Sequence, residues 1–478
     1  MEEHLNRQSK KRARLLLVKA ILAFGIILLV VFVSIGNGNG SATWMTSMQL
    51  NGERFTVAEL VQDRVIATND CMPEIEFLAA AVRRSLRWSG APAVDQGTPP
   101  PGQRRVGWAE RSLIGYDGRH LSWETAEQEI AILRDPLNKV HRALNNPTRD
   151  PGWDYSMIPM IGSPGNFVAK RVTAQTLGNA MLIELRATNV VAAQQHLDAL
   201  VSMVRVHDQG WTLVNQMIRV AIIGLAADAT WAALQAPGWT EPQLQKLQQA
   251  WRSHDLIPAM ARTLEIERAA AILYFDSVRK RNGGSIFSIG AGGSNSVQLA
   301  FEKVIIAPVY ELVWSQGDKL FYLQCMQTFI ETLRDMSNAK SWKAVRPAID
   351  SQFEDYMRRQ TGFFGYRYPM TRQIMPNILK ALTTMTKNQT LEQLALAALA
   401  IKRYELGHGE LPSDLKALIP DYLSEMPTDY WDGQPLRYRK IATGTFLLYS
   451  CGEDLRDNGG SPSADTIWEA PIWPDHSE

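Results

Sequence analysis

The sequence predicts a mainly α-helical protein with three parts: an N-terminal transmembrane helix, a large exported domain of helical hairpins, and a small α+β domain at the C-terminal end. Three observations predict it. An apolar run follows a basic N-terminus. Long stretches of three- and four-residue apolar spacing, broken by short turns, fill the middle. After Gly407 the pattern changes to turns and alternating segments. At 478 residues the chain is too long for one ordinary core. Its 45% hydrophobic and 21% charged content is globular and excludes wholesale disorder. Fifty basic residues against 49 acidic ones leave +1, which excludes a global field for nucleic acid. Three cysteines with no C-x-x-C pair exclude a disulfide scaffold and a thiol-based zinc site.

Residues 1–14 form a basic cytoplasmic tail, with Arg7, Lys10, Lys11, Arg12 and Arg14 against Glu2 and Glu3. Residues 15–35 carry one charge, Lys19, and as a helix span roughly 30 Å, the thickness of bilayer hydrocarbon. Basic residues ahead of this run place that end in the cytoplasm and send the remainder across the membrane. A signal peptide cleaved after Ala42, in Gly40-Ser41-Ala42, is the alternative, and it would release a secreted protein. The length of the run and the glycine-asparagine stretch 36–42, read as a flexible stalk, favour a retained anchor. Cys71, Cys325 and Cys451 then face an oxidising space, where one pair at most can bond.

Residues 43–374 read as the α-helical exported domain. Helical spacing covers Val57–Ala67, Pro73–Trp88 and Thr125–Leu144, with loops at 91–102, which holds three consecutive prolines, and at 283–294. Residues 147–165 are rich in Pro and Gly and read as irregular. From Ala169 to Arg281 long amphipathic stretches with short breaks predict stacked helical hairpins. No 34-residue repeat is found there. Helix is predicted again over 301–336 and 375–406, with an aromatic loop at 363–369.

Residues 375–478 read as a long helix followed by an α+β module. Gly407-His408-Gly409 stops the helix, and Ser413 caps a short one. Leu436–Lys440 and Thr445–Ser450 alternate as a hairpin. The carrying residues are Ala400–Tyr404, His408-Gly409, Leu411-Pro412, Leu418-Ile419-Pro420, Tyr422-Leu423, Met426–Asp429, Trp431-Asp432-Gly433, Leu447–Ser450, Gly452-Glu453-Asp454 and Ala464-Asp465-Thr466. In order and spacing they resemble the C-terminal domain of the major pseudopilin of bacterial type II secretion systems. The resemblance covers about 100 of the 478 residues.

That family's closing loop holds calcium, so the resemblance implies Ca2+ as a cofactor: Asp454 and Asp465 match the family's loop acids, Asp457 and Ser461 are near enough to add oxygens, and a solvated acidic turn is the alternative. Calcium takes six to eight oxygens at roughly 2.3–2.6 Å. The last 29 residues carry a net charge of −6. Two features depart from the family: Leu455 stands where a glycine is expected, and Asp465 stands alone where two acids often adjoin. The apolar helix lacks the family's acid, and it lies far upstream of the module. Polymerisation as a pilin is therefore not expected.

No His-Glu-x-x-His or Gly-x-Ser-x-Gly motif occurs among the eight histidines and the serines. His207-Asp208 and His254-Asp255 read as helix-end caps. Glu265 and Glu267 read as surface or groove charges, with Arg268 placed to meet Glu265. Trp211, Trp231, Trp239 and Trp251 read as packing residues. The expected protein is therefore a single-pass bacterial envelope protein, anchored in the inner membrane and facing the periplasm. It has a structural or interaction role with an envelope protein partner, no nucleic-acid partner and no assigned catalytic residue. The alternative is an exported hydrolase or ligand binder with a site in the helical layer.

Overall fold

The computed structural model describes residues 40–85, 113–114, 120–121, 123–156, 165–252, 254–280, 310, 314–360, 367–442, 445–460 and 466–469. The expected transmembrane helix over 15–35 and the loops at 91–102 and 283–294 lie outside them. The chain is mainly helical, as expected. It divides into two compact units, each discontinuous in sequence. One holds Met1–Leu60, Arg268–Gln327 and Gln352–Asn377; the other holds Val61–Glu267, Thr328–Ser351 and Ile378–Glu478.

The helices, in order, are α1 Gly40–Leu50, α2 Val57–Val61, α3 Met72–Ser85, α4 Trp123–Ile132, α5 Arg134–Leu144, α6 Phe167–Arg186, α7 Val190–Met203, α8 Leu213–Leu234, α9 Glu241–Trp251, α10 Leu256–Lys280, α11 Ser315–Ala339, α12 Trp342–Gln360 and α13 Pro369–His408. A short ladder, β1 Leu113–Ile114 with β2 His120–Leu121, precedes α4. Residues 40–42, expected in the stalk, are the first turn of α1. The single helix expected over Thr125–Leu144 is two, α4 and α5, joined at Leu133, whose ψ of 5° is not helical.

In the larger unit α6 packs on α7, α8 packs on both, α9 packs on α7, and α3 packs on α6. These are the stacked hairpins that the periodicity predicts. Side-chain caps set where each begins. Asn166 accepts from the Ala169 N–H, Asn189 from Ala192, and Thr212 from Asn215. Thr240 and Gln243 form a capping box at α9. Helix α8 is long and apolar enough to cross a membrane by composition, yet 61% of its most apolar window is buried inside the protein. It is a core helix of this stack, touching α6 and α7 with Val220, Ile223, Ala226 and Ala227 buried.

In the smaller unit Asp318 of α11 accepts from the backbone N–H groups of Met370 and Thr371, at 3.0 and 3.3 Å, and from the Thr371 hydroxyl at 2.6 Å. An acid from one helix thus caps the start of another. This is why α13 begins at Pro369, six residues before its expected start at Met375. The helix then runs 40 residues, about 60 Å at 1.5 Å per residue. Gly409, with φ of 72°, ends it and donates to the Glu405 carbonyl.

The end module follows within the larger unit. A 3₁₀ turn at Leu415–Leu418 is capped by Asp414, which accepts from Lys416 and Ala417, and not by Ser413 as expected. The predicted hairpin is present as β3 Arg437–Ala442 and β4 Thr445–Ser450, antiparallel, with an irregularity between Lys440 and Ala442. A third strand, β5 Thr466–Glu469, pairs with the far edge of β4 and was not foreseen. Leu447 and Leu448 of β4 are buried.

Candidate functional site

Two of the four expected calcium donors, Asp454 and Asp457, are described; Ser461 and Asp465 lie outside the described residues. Asp454 accepts from its own turn, from the Arg456 N–H at 3.0 Å and from Asn458 Nδ2 at 3.1 Å. Asp457 accepts from the Gly459 N–H at 2.9 Å and from the Tyr449 hydroxyl at 3.2 Å, and lies 3.6 Å from Arg437 Nε. A calcium cage gathers oxygens with no other cation among them. Here a guanidinium already supplies the countercharge, so the described half of the loop does not fit calcium well.

Arg437 stands at the centre of this region. Its Nη1 donates to Asp429 and its Nη2 to Asp432. Asp429 is fully buried, and burial pushes its carboxyl above the usual range. The opposing bonds come from the Cys451 N–H at 2.9 Å, the Trp431 N–H at 3.1 Å and the Ser450 hydroxyl at 2.8 Å. Asp432 is displaced the other way, below the usual range: burial is its largest single influence and raises it, but the Arg437 bond outweighs it together with other contributions. Asp429, Asp432 and Cys451 bring ligand atoms within 4.8 Å of one another, the spacing of a metal centre. With Arg437 bound to both carboxylates, that spacing serves a buried ion pair that ties the 428–435 turn to β3 and β4. The trio was not singled out in the sequence. Asp429 and Cys451 are 22 positions apart, and only the hairpin brings them together.

The same turn holds the module to the helical stack. The first N–H groups of α12, from Trp342 and Lys343, donate to the carbonyls of Tyr430 and Trp431, both at 2.8 Å. Gln248 of α9 donates to the Tyr422 carbonyl at 3.0 Å. Arg403 of α13 bonds Glu241 through Nε at 2.8 Å and Gln248 at 2.6 Å. The module is therefore built into the larger unit.

The other expected sites sort as follows. His207 is not at a helix end but in a buried turn, with φ of 61°. Asp208 takes a two-pronged bond from Arg149, at 3.1 and 2.7 Å. His254 precedes α10, buried beside Trp251, and among the described residues neither of its ring nitrogens has a hydrogen-bond partner. Burial first, and then Arg219, Arg205 and Arg149, bring its pKa down to about 3. Asp255 accepts from the Ile257 backbone at the start of α10, the capping role expected. Glu267 corrects the expectation of a surface charge: it accepts from the Leu213 N–H at 2.8 Å and so caps α8. Burial raises its pKa. Glu265 meets Arg262 at 2.8 Å and Arg334 at 2.7 Å. Arg268, expected to meet it, bonds Glu53, the Arg54 carbonyl and Gln327. Trp231, Trp239 and Trp251 are buried core residues.

A buried polar layer lies where α6 and α8 meet the 204–212 turn. Lys170 Nζ donates to Asn215 Oδ1 at 2.9 Å, and Asn215 Nδ2 donates to the carbonyls of His207 and Gly210. Gln216 donates to the Asp208 carbonyl at 3.1 Å, and Arg219 to the Val204 carbonyl at 3.1 Å. Burial lowers the Lys170 pKa to about 7. Asn215, Gln216 and Arg219 thus supply donors to carbonyls of the turn, those of His207 and Gly210 accepting backbone N–H groups as well. No protein-family model, curated protein or solved structure matches this chain.

Proposed function

We propose that this is a single-pass protein of the bacterial cell envelope, anchored in the inner membrane by residues 15–35 with its bulk facing the periplasm. Its helical body and pseudopilin-like end serve a structural or interaction role toward an envelope protein. The observation that carries this reading is the commitment of Arg437. It neutralises Asp429 and Asp432 and lies beside Asp457, so the acids of the end module hold its shape. Glu265 and Glu267, the paired carboxylates of the helical layer, are likewise spent on an ion pair and a helix cap. These groups support a scaffold better than an acid–base pair.

Two measurements test it. Spheroplasts of cells expressing the full chain are shaved with protease: degradation of residues 43–478 is expected, and their protection overturns the topology. Gentle detergent extraction followed by native electrophoresis tests the role. A stable complex well above the 53.6 kDa of one chain is expected, and a lone protomer overturns it.

A further inference from the structure

An open cleft of about 370 Å³ lies between the start of α3 and the face of α5. Its volume falls in the range of small-molecule sites, roughly 300–1,000 Å³. One wall carries carboxylates, Asp70 and Glu74, and the other carries cations, Lys139 and Arg142. Charges of opposite sign facing one another normally close into ion pairs. Here no ion pair joins the two walls among the described residues.

The charges are spent unequally. Asp70 Oδ1 accepts from the Met72 N–H at 2.9 Å. Lys139 Nζ pairs with Asp135 at 2.8 Å and sits 4.9 Å from the centre of the Phe77 ring. Glu74 Oε2 is shielded from solvent and has no hydrogen-bond partner among the described residues. Arg142 is exposed, and no hydrogen bond or ion pair to its guanidinium is found among the described residues. The walls are pinned at their base, where Asn69 Nδ2 donates to the Asn146 carbonyl at 2.6 Å. The Thr148 hydroxyl also donates to the Asn69 carbonyl at 3.1 Å. The walls therefore cannot collapse cheaply into their own ion pair.

A carboxylate oxygen shielded from solvent and without a described donor lacks the solvation its charge requires. An ammonium group supplies it, with a turn of the soft terminal torsion of Glu74 bringing either oxygen forward. A carboxylate on the same ligand then meets the Arg142 fork, the geometry guanidinium groups favour. We propose that this cleft binds a small zwitterion, a free amino acid or dipeptide, with its ammonium on Glu74 and its carboxylate on Arg142. This inference stands apart from the envelope role and survives its failure.

Titration calorimetry on the detergent-purified full chain tests it, with alanyl-alanine and a panel of free amino acids as probes. Saturable binding is expected for at least one probe, weakened at least about tenfold in both Glu74→Gln and Arg142→Gln. Arg142 is exposed, so its variant keeps the fold and stands if the Glu74 variant does not. N-acetylation of the tightest probe should abolish the difference between wild type and Glu74→Gln, and amidation the difference between wild type and Arg142→Gln. No binding up to about 10 mM, or binding indifferent to both variants, overturns the proposal.

Discussion

The Nε2 of His141 on α5 lies 3.0 Å from the Nδ1 of His196 on α7, with the two rings edge to face. One proton bridges the two nitrogens, so the contact requires that both rings are not charged at once. Burial lowers both pKa values, and His196 falls to about 3 with His141 beside it as the second cause.

The sign follows from linkage. The unfolded chain binds these protons near pH 6.5, and the folded chain does not. Stability is therefore full above about pH 6.5 and is lost as the pH falls toward the folded values. The melting temperature should drop between pH 6.5 and 4, and His196→Leu combined with His141→Leu should flatten that drop. His207 and His254, each lowered to about 3, act in the same direction and leave part of the slope. A double variant with the wild-type slope would remove the pair from the account.

Asp318 works the other way. Burial raises its carboxyl to about 6, against bonds from Thr371, Tyr310 and the Met370 backbone. Its charged form is penalised in the folded chain, so protonation between pH 6 and 4 adds stability. Asp318→Asn should remove that gain, making the acid side of the stability profile steeper than in wild type. Melting curves across this pH range read it directly.

Removing the cation at Arg437 should cost far more than an ordinary surface change. Arg437→Met leaves Asp429 and Asp432 without their partner, an expected loss of about 3–5 kcal/mol in denaturant unfolding. Arg437→Lys keeps the charge but not the fork and should fall between. A loss below about 1 kcal/mol for the Met variant would mean that the pair does not hold the module.

Gly433 lets the 428–435 turn approach α12. Its φ is +77°, and an added Cβ would sit 2.8 Å from the Ser341 Cβ. Gly433→Ala should destabilise the chain by about 1–3 kcal/mol. Gly409→Ala, also at positive φ but in open space, should cost less.

Cys71, Cys325 and Cys451 are free and buried, and burial pushes the Cys325 thiol up to about 12. All three should resist an exposed-thiol reagent in the native chain and react on unfolding. Rapid native labelling of any of them would contradict the burial.

The hairpin stack was legible because helix length and apolar spacing are local properties. The same is true of β3 and β4, whose residues alternate, and of the stop at Gly409. The break at Leu133 was not legible, because the spacing of apolar residues runs through it. Nor was the early start of α13, because its cap, Asp318, lies 51 positions upstream. The Arg437 node depends on three acids from two separate segments, and no spacing rule joins them.

The sequence by itself determined the helical class, the apolar run over 15–35, the end module's hairpin and the near-zero net charge, since each follows from composition or period. Tertiary structure alone decided which charge meets which. Arg268 leaves Glu265 for Glu53, Glu267 turns to cap α8, and Arg437 takes the place a cation would hold between Asp429 and Asp432. Ion pairing depends on distances of a few ångströms between segments far apart in the chain, and only packing sets those.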